Sequence, residues 1–324
     1  MSEGQRIDWI DSVKGIGIVL VYIGHCYIPA VNNLIYSFHM PLFFIISGFL
    51  WNNSKYQQMT LKDFAGKKFR AYIIPYLKMA LICFVIWGLI YGIFQCDNIS
   101  VYFHKIWQYT YGILLVYPRS QYMPACYPLW FLVALFLSEF LYFLANKTKV
   151  SVLLILLFTI IGYGFSKLIK LPFCIDSALS LVFFLYVGNL IRHHWNKICC
   201  KSLIVGTLVG GAIFVMYLLL KWRPASDFAV NSYNTRIFLW APTVSLLLFL
   251  IIQKLGKLRI AIVIGKVLGR NTMALMGYNI SFVMLAEFAS LPSGTWGRAA
   301  FVVILGIGLA LLLYKFPQIK KYIQ

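Results

Sequence analysis

Residues 72–94 read YIIPYLKMALICFVIWGLIYGIF, twenty-three positions with a single charge at Lys78. A helix needs about 17–25 such residues to cross the ~30 Å hydrocarbon core of a bilayer. The run does not alternate apolar and polar residues as a barrel strand does. An open strand would also leave backbone groups unpaired in lipid. Working outward from it, nine further runs of the same character lie at 15–31, 34–52, 128–146, 150–166, 175–192, 203–221, 236–254, 271–290 and 297–316. The expected fold class is therefore all-α: a polytopic membrane protein of about ten transmembrane helices, read as one domain over residues 1–324.

Composition points the same way. Charged residues make up 12% of the chain and apolar ones 61%, against about 25% and about 45–50% in soluble domains. So few charges exclude a soluble enzyme, a disordered chain and a small disulfide-stapled module. The first run is not a cleavable signal, since it carries Gly24-His25 and leads straight into another span. With the N-terminus in the cytosol, 20 of the 29 basic residues fall on the cytosolic side, as the positive-inside rule requires. Ten spans then put both termini in the cytoplasm. The net charge of +20 is explained by the bilayer, with no need of nucleic acid.

Polar groups within lipid are costly, and each is a functional candidate. They concentrate in the first hairpin. Lys14 and His25 are eleven residues apart, three helical turns and about 16 Å along one face. Asp11 stands three residues before Lys14, in position to pair with it. His39, just inside the second span, falls at the same depth as His25 in an antiparallel hairpin. Lys67, Lys68 and Arg70 form a cytosolic cluster ahead of the third span, and an Arg fork suits phosphate oxygens. Glu139, mid-span, is expected to be protonated or paired within the bundle. Asp176 and Glu287 fall at outer span ends, where water is expected to reach them, and Gly206/Gly210 has the spacing of a helix-packing contact. Cys96 and Cys126 bracket the Tyr-rich outer connection 95–127 and are either paired or two free thiols. His193-His194 gives no metal spacing, so no metal is expected.

These residues resemble the acyltransferase-3 family, bacterial integral-membrane enzymes that mostly O-acetylate sugars and cell-envelope glycans. The likeness runs over essentially the whole chain. Its specific part is Asp11-xx-Lys14-Gly15 through Gly24-His25, followed by Phe38-His39-Met40-Pro41-Leu42-Phe43-Phe44 and Ser47-Gly48-Phe49. Arg70 with Pro75-Tyr76, and Leu129-Trp130-Phe131-Leu132, also match. The resemblance implies an O-acyltransferase of the inner membrane that uses acetyl-CoA or a similar acyl-CoA as co-substrate, with no bound cofactor. The acceptor would be a sugar or envelope glycan. It implies His25 as catalytic base, with Lys14, His39 and Asp11 beside it and Trp130 in support; Glu139, from its mid-span position, is a further candidate for support. Lys67 and Arg70, with Lys68, would hold the acyl donor. Asn279 departs from the pattern, standing where many members have His.

The rival class is a ten-helix transporter or flippase of a small metabolite or lipid-linked sugar. Such proteins often repeat their polar site in both halves. Here the polar residues sit almost wholly in the first three spans, which favours the enzyme.

Overall fold

The computed structural model describes residues 7–94, 98–123, 125–216 and 226–323. The chain is helical nearly throughout. Its first part runs α1 (Asp8–Gly24), α2 (Asn32–Tyr36), α3 (His39–Phe49), α4 (Asn53–Gln57), α5 (Leu61–Lys68), α6 (Ile74–Phe94) and α7 (Ile99–Leu115). Next come α8 (Trp130–Asn146), α9 (Ser151–Leu168), α10 (Ile175–Cys200) and α11 (Ser202–Phe214). A short antiparallel ribbon pairs β1 (Ser226–Asp227) with β2 (Ser232–Tyr233). The chain finishes with α12 (Ile237–Leu255), α13 (Arg259–Ile264), α14 (Thr272–Phe288), α15 (Trp296–Lys315) and α16 (Pro317–Ile323).

Among the described residues, six helices are long and apolar enough to cross a membrane, or seven if the bent pair Arg259–Gly269 and Thr272–Phe288 is one span. The other expected spans fall below the 18 residues of the shortest of these six among the described residues. The run 34–52 divides into α2 and α3 at Ser37-Phe38, α1 covers 17 residues, and α11 covers 13. The seventh run ends at 217–221, which lies outside the described residues, as does Cys96 and with it any pairing to Cys126.

Breaks in the helices have local causes. The α5–α6 rod passes through a π-helical turn, Phe69–Ile73, just ahead of Pro75. Proline removes one backbone donor, and a wider turn accommodates the loss. The 75° bend before α14 is held by Asn271. Its amide donates to the carbonyls of Val267 (2.7 Å) and Ala310 (3.3 Å).

Close backbone crossings place α3 at the centre. A Cβ on Gly48 would come within 2.0 Å of the Leu185 carbonyl oxygen, and one on Gly188 within 2.0 Å of that of Ile45. Only hydrogen at both positions lets α3 and α10 pack this closely. At the expected pair Gly206/Gly210, an added Cβ would meet nothing within 4 Å among the described residues. Small-residue spacing names a face but not the presence of a partner.

Side-chain hydrogen bonds dock the remaining helices around this pair. Ser12 Oγ donates to Ala261 O (2.8 Å) and Tyr22 Oη to Leu275 O (2.9 Å), fixing α1 to α13 and α14. Trp240 Nε1 donates to Ser37 Oγ (2.7 Å), fixing α12 to the start of α3. Asp176 also corrects the sequence expectation: it is fully buried and takes Lys170 Nζ at 3.0 Å. Glu287 is open to solvent and takes the buried Arg298 at 2.5 Å.

Candidate active site

Two cavities lie against α3 and α8. The first, about 280 Å³, is lined by Lys14, Phe43, Ser47, Lys68, Phe131 and Glu139, among others. The second, about 360 Å³, is lined by His25, Tyr36, His39, Tyr127, Trp130 and Asp227, among others. Lys14 and His25, on one helix, thus open into different cavities about three turns apart. Phe43 and Phe131 wall the first cavity, with ring centroids 5.7 Å apart. Met40 and Trp130, on the same two helices, wall the second.

In the first cavity a buried carboxylate organises the wall. Lys68 Nζ lies 2.6 Å from Glu139 Oε2. The hydroxyls of Ser47 and Tyr72 both donate to Oε1, the latter at 3.0 Å. Glu139 is therefore paired inside the bundle. Lys68 is buried with it, its ammonium 5.1–5.7 Å from the ring centroids of Trp51, Tyr56, Phe64 and Tyr72. That geometry suits cation–π attraction. The cluster Lys67, Lys68 and Arg70 is thereby divided, because one turn of α5 points its middle member inward while Lys67 and Arg70 remain exposed. Asp11 takes Lys14 Nζ at 3.5 Å and lies 3.8 Å from Arg270 Nε. The pair expected from the spacing is present, with an arginine from the far end of the chain beside it.

In the second cavity the two histidines differ in what their Nδ1 atoms meet. His39 Nδ1 lies 2.9 Å from the Ile35 carbonyl oxygen. A carbonyl only accepts, so Nδ1 carries the hydrogen, and the neutral ring presents Nε2 as an acceptor. His25 Nδ1 faces two hydroxyls, Tyr127 at 3.0 Å and Tyr36 at 3.2 Å. Tyr36 also packs edge-on to the His39 ring, with centroids 4.9 Å apart. Both histidines are buried and line the same cavity. Tyr27, at the mouth, holds φ at +56°, a conformation that costs a bulky residue energy. Backbone bonds from Tyr27 N to Gly24 O (3.1 Å) and from Gly294 N to Cys26 O (2.9 Å) hold the turn in place.

Asp227 is the acid that sequence reasoning missed. It enters the second cavity from β1, with Oδ1 accepting from Ala229 N at 2.9 Å. Burial pushes its carboxyl above the usual range, countered by the backbone N–H groups of Ala229 and Val230 and by Lys170. Tyr36, Tyr127 and Ser47 were also missed as partners. Tyr36 adjoins the Ser37-Phe38-His39 block, but nothing in the sequence says which tyrosine turns toward His25. Asn279 is fully buried in α14, and neither side-chain amide atom has a hydrogen-bond partner among the described residues.

No curated protein and no solved structure matches the chain. A family model described as an acyltransferase domain, the acyltransferase-3 model, matches residues 7–315. The match takes in both cavities and every helix that lines them. With its apolar helices, this makes the chain a multi-pass membrane acyltransferase, and it belongs to the acyltransferase-3 family.

Proposed function

We propose that the protein is an inner-membrane O-acyltransferase that moves an acetyl or similar acyl group from cytosolic acyl-CoA to a hydroxyl of a sugar or envelope glycan. In this reading the chain crosses the membrane ten times, with both termini in the cytoplasm. The first cavity takes the donor from the cytosol and the second takes the acceptor from the other side. Lys67 and Arg70, both exposed, meet the CoA phosphates. Lys68 and Lys14 line the inner wall along which the narrow pantetheine arm extends. The single observation that carries the reading is the position of His25, buried at the second cavity with Nδ1 against two tyrosine hydroxyls.

A tyrosine oxygen accepting the Nδ1 hydrogen leaves Nε2 with its lone pair. Nε2 then removes the proton of the acceptor hydroxyl as its oxygen attacks the thioester carbonyl. The carbon–sulfur bond breaks, the ester forms, and the proton passes from the imidazolium to the departing CoA thiolate. His39, its tautomer fixed by Ile35, accepts a further hydrogen bond in the same cavity.

The test is acetyl transfer from labelled acetyl-CoA by the purified protein, together with mass spectrometry of the envelope glycan. His25→Ala is expected to lower transfer by about 10²–10⁴-fold, the usual contribution of a general base, while the protein still inserts. Arg70→Ala is expected to raise the half-saturating acyl-CoA concentration. Full acetylation by the His25 variant would sink the assignment of the base, and substrate flux without covalent change would decide for a transporter.

A further inference from the structure

The ribbon of β1 and β2 is fastened to the outer corner of α9 and α10 by more contacts than a surface loop needs. Lys170 Nζ reaches Asp176 Oδ2 at 3.0 Å, Ser177 Oγ at 2.7 Å, Asn231 Oδ1 at 3.2 Å and Phe228 O at 3.3 Å. Ser177 Oγ donates to the same Phe228 carbonyl at 2.7 Å. Phe228 is fully buried and stacks on Tyr233, with centroids 4.1 Å apart. The Tyr233 hydroxyl in turn meets Ser180 Oγ at 2.7 Å. Asp227 stands beside this anchor, one residue from Phe228. Its carboxylate is thus mounted on a rigid support, as a group that must be held ready for a ligand requires.

The position of the carboxylate is informative. It lines the cavity that holds His25, together with the Tyr36 and Tyr127 hydroxyls that face His25 Nδ1. Lys170, whose charge acts on Asp227, is itself ion-paired to Asp176. Arg119 and Gln121 come to the same cavity from the loop after α7, and Trp130 supplies an aromatic wall. A carboxylate, a guanidinium, an amide and aromatic faces around one cavity are a set suited to a polyhydroxylated ring. Hydroxyls pair with the polar groups while the C–H face lies against the indole.

We propose that Asp227 is the acceptor-recognition residue: its carboxylate accepts hydrogen bonds from two neighbouring hydroxyls of a sugar and so presents a third hydroxyl to His25. The inference rests on the reading that the acceptor occupies the second cavity. Two oxygens with several lone-pair sites bind a vicinal diol, and such charge-assisted bonds are strong. Asp227 does not take part in the proton transfer. Removing its charge weakens acceptor binding and leaves the donor side untouched.

The experiment uses the full-length purified protein with labelled acetyl-CoA as donor and delipidated envelope glycan from the producing cells as the acceptor probe. Asp227→Asn keeps the size of the side chain and removes the charge. It is expected to raise the half-saturating glycan concentration roughly tenfold or more, as loss of a hydrogen bond to a charged group does. The half-saturating acetyl-CoA concentration and the maximal rate should stay within about twofold. Asp227→Glu, which restores the charge, should recover most of the glycan affinity. An unchanged glycan requirement in Asp227→Asn, or a parallel rise for acetyl-CoA, overturns this proposal while leaving the acyltransferase reading intact. A wild-type protein that acetylates no glycan overturns both.

Discussion

Lys68 and Glu139 show how one residue's role depends on its neighbours. Each is nearly inaccessible, and with Ser47 and Tyr72 they form a buried, hydrogen-bonded ion pair. Removing one member strands a charge in a low-dielectric interior, at a typical cost of about 3–5 kcal/mol. Lys68→Met is therefore expected to lower the thermal midpoint in detergent sharply. The double variant Lys68→Met with Glu139→Leu should recover much of the loss, because a well-packed apolar pair often replaces a buried salt bridge at little cost. A double variant as unstable as the single one would show that the pair does more than satisfy itself. The sequence offered Glu139 as a mid-span acid with two possible states. It could not name Lys68 as the partner, because the two residues stand 71 positions apart.

At the scale of elements, the crossing of α3 and α10 sets the site, since α3 carries residues of both cavities. Its closeness depends on Gly48 and Gly188. A methyl group at Gly188 would meet the Ile45 carbonyl at 2.0 Å, and backbone on backbone has no rotamer to yield. Gly188→Ala is expected to cost at least the ~1–3 kcal/mol of an overpacked core and to lower the yield of folded protein. Gly206→Ala, whose Cβ would meet nothing within 4 Å among the described residues, should keep that yield and gain up to about 1 kcal/mol of helix propensity. Size-exclusion recovery after purification measures both, and equal losses would remove the crossing from the explanation. The sequence sets Gly206 and Gly210 four residues apart but leaves Gly48 and Gly188 each alone in its helix. Which of them face a neighbour depends on packing across 140 residues of chain, from Gly48 to Gly188.

For the whole molecule, the order of charge along the chain defines an orientation that can be measured. Cys200, at the end of α10, is exposed, while Cys26, Cys83, Cys126 and Cys174 are buried. If the basic side faces the cytosol, a membrane-impermeant maleimide should leave Cys200 unlabelled in intact spheroplasts and label it once the membrane is opened. A Cys96→Ser background removes the thiol expected on the opposite face. Labelling of Cys200 in intact spheroplasts would reverse the orientation and, with it, the assignment of the two cavities to donor and acceptor. The division between cavities gives the orientation its meaning. Phe43 and Phe131 line the cavity of Lys14 and Lys68, while Met40 and Trp130 line that of His25 and His39.

The sequence by itself determined the all-helical membrane class and the concentration of polar residues in the first hairpin. It also carried the motifs of the family that matches residues 7–315. Those properties are local: hydropathy is read over one span, and the Asp11–Lys14 pair and the Lys14–His25 spacing each lie on one helix. Only the tertiary structure decided that Lys68 turns inward to Glu139, that Tyr36 and Tyr127 face His25, and that Asp227 joins them. It also broke the second apolar run at Ser37-Phe38. Each of those features depends on helices far apart in sequence meeting in space, and apolar runs in lipid carry little information about which neighbour they meet.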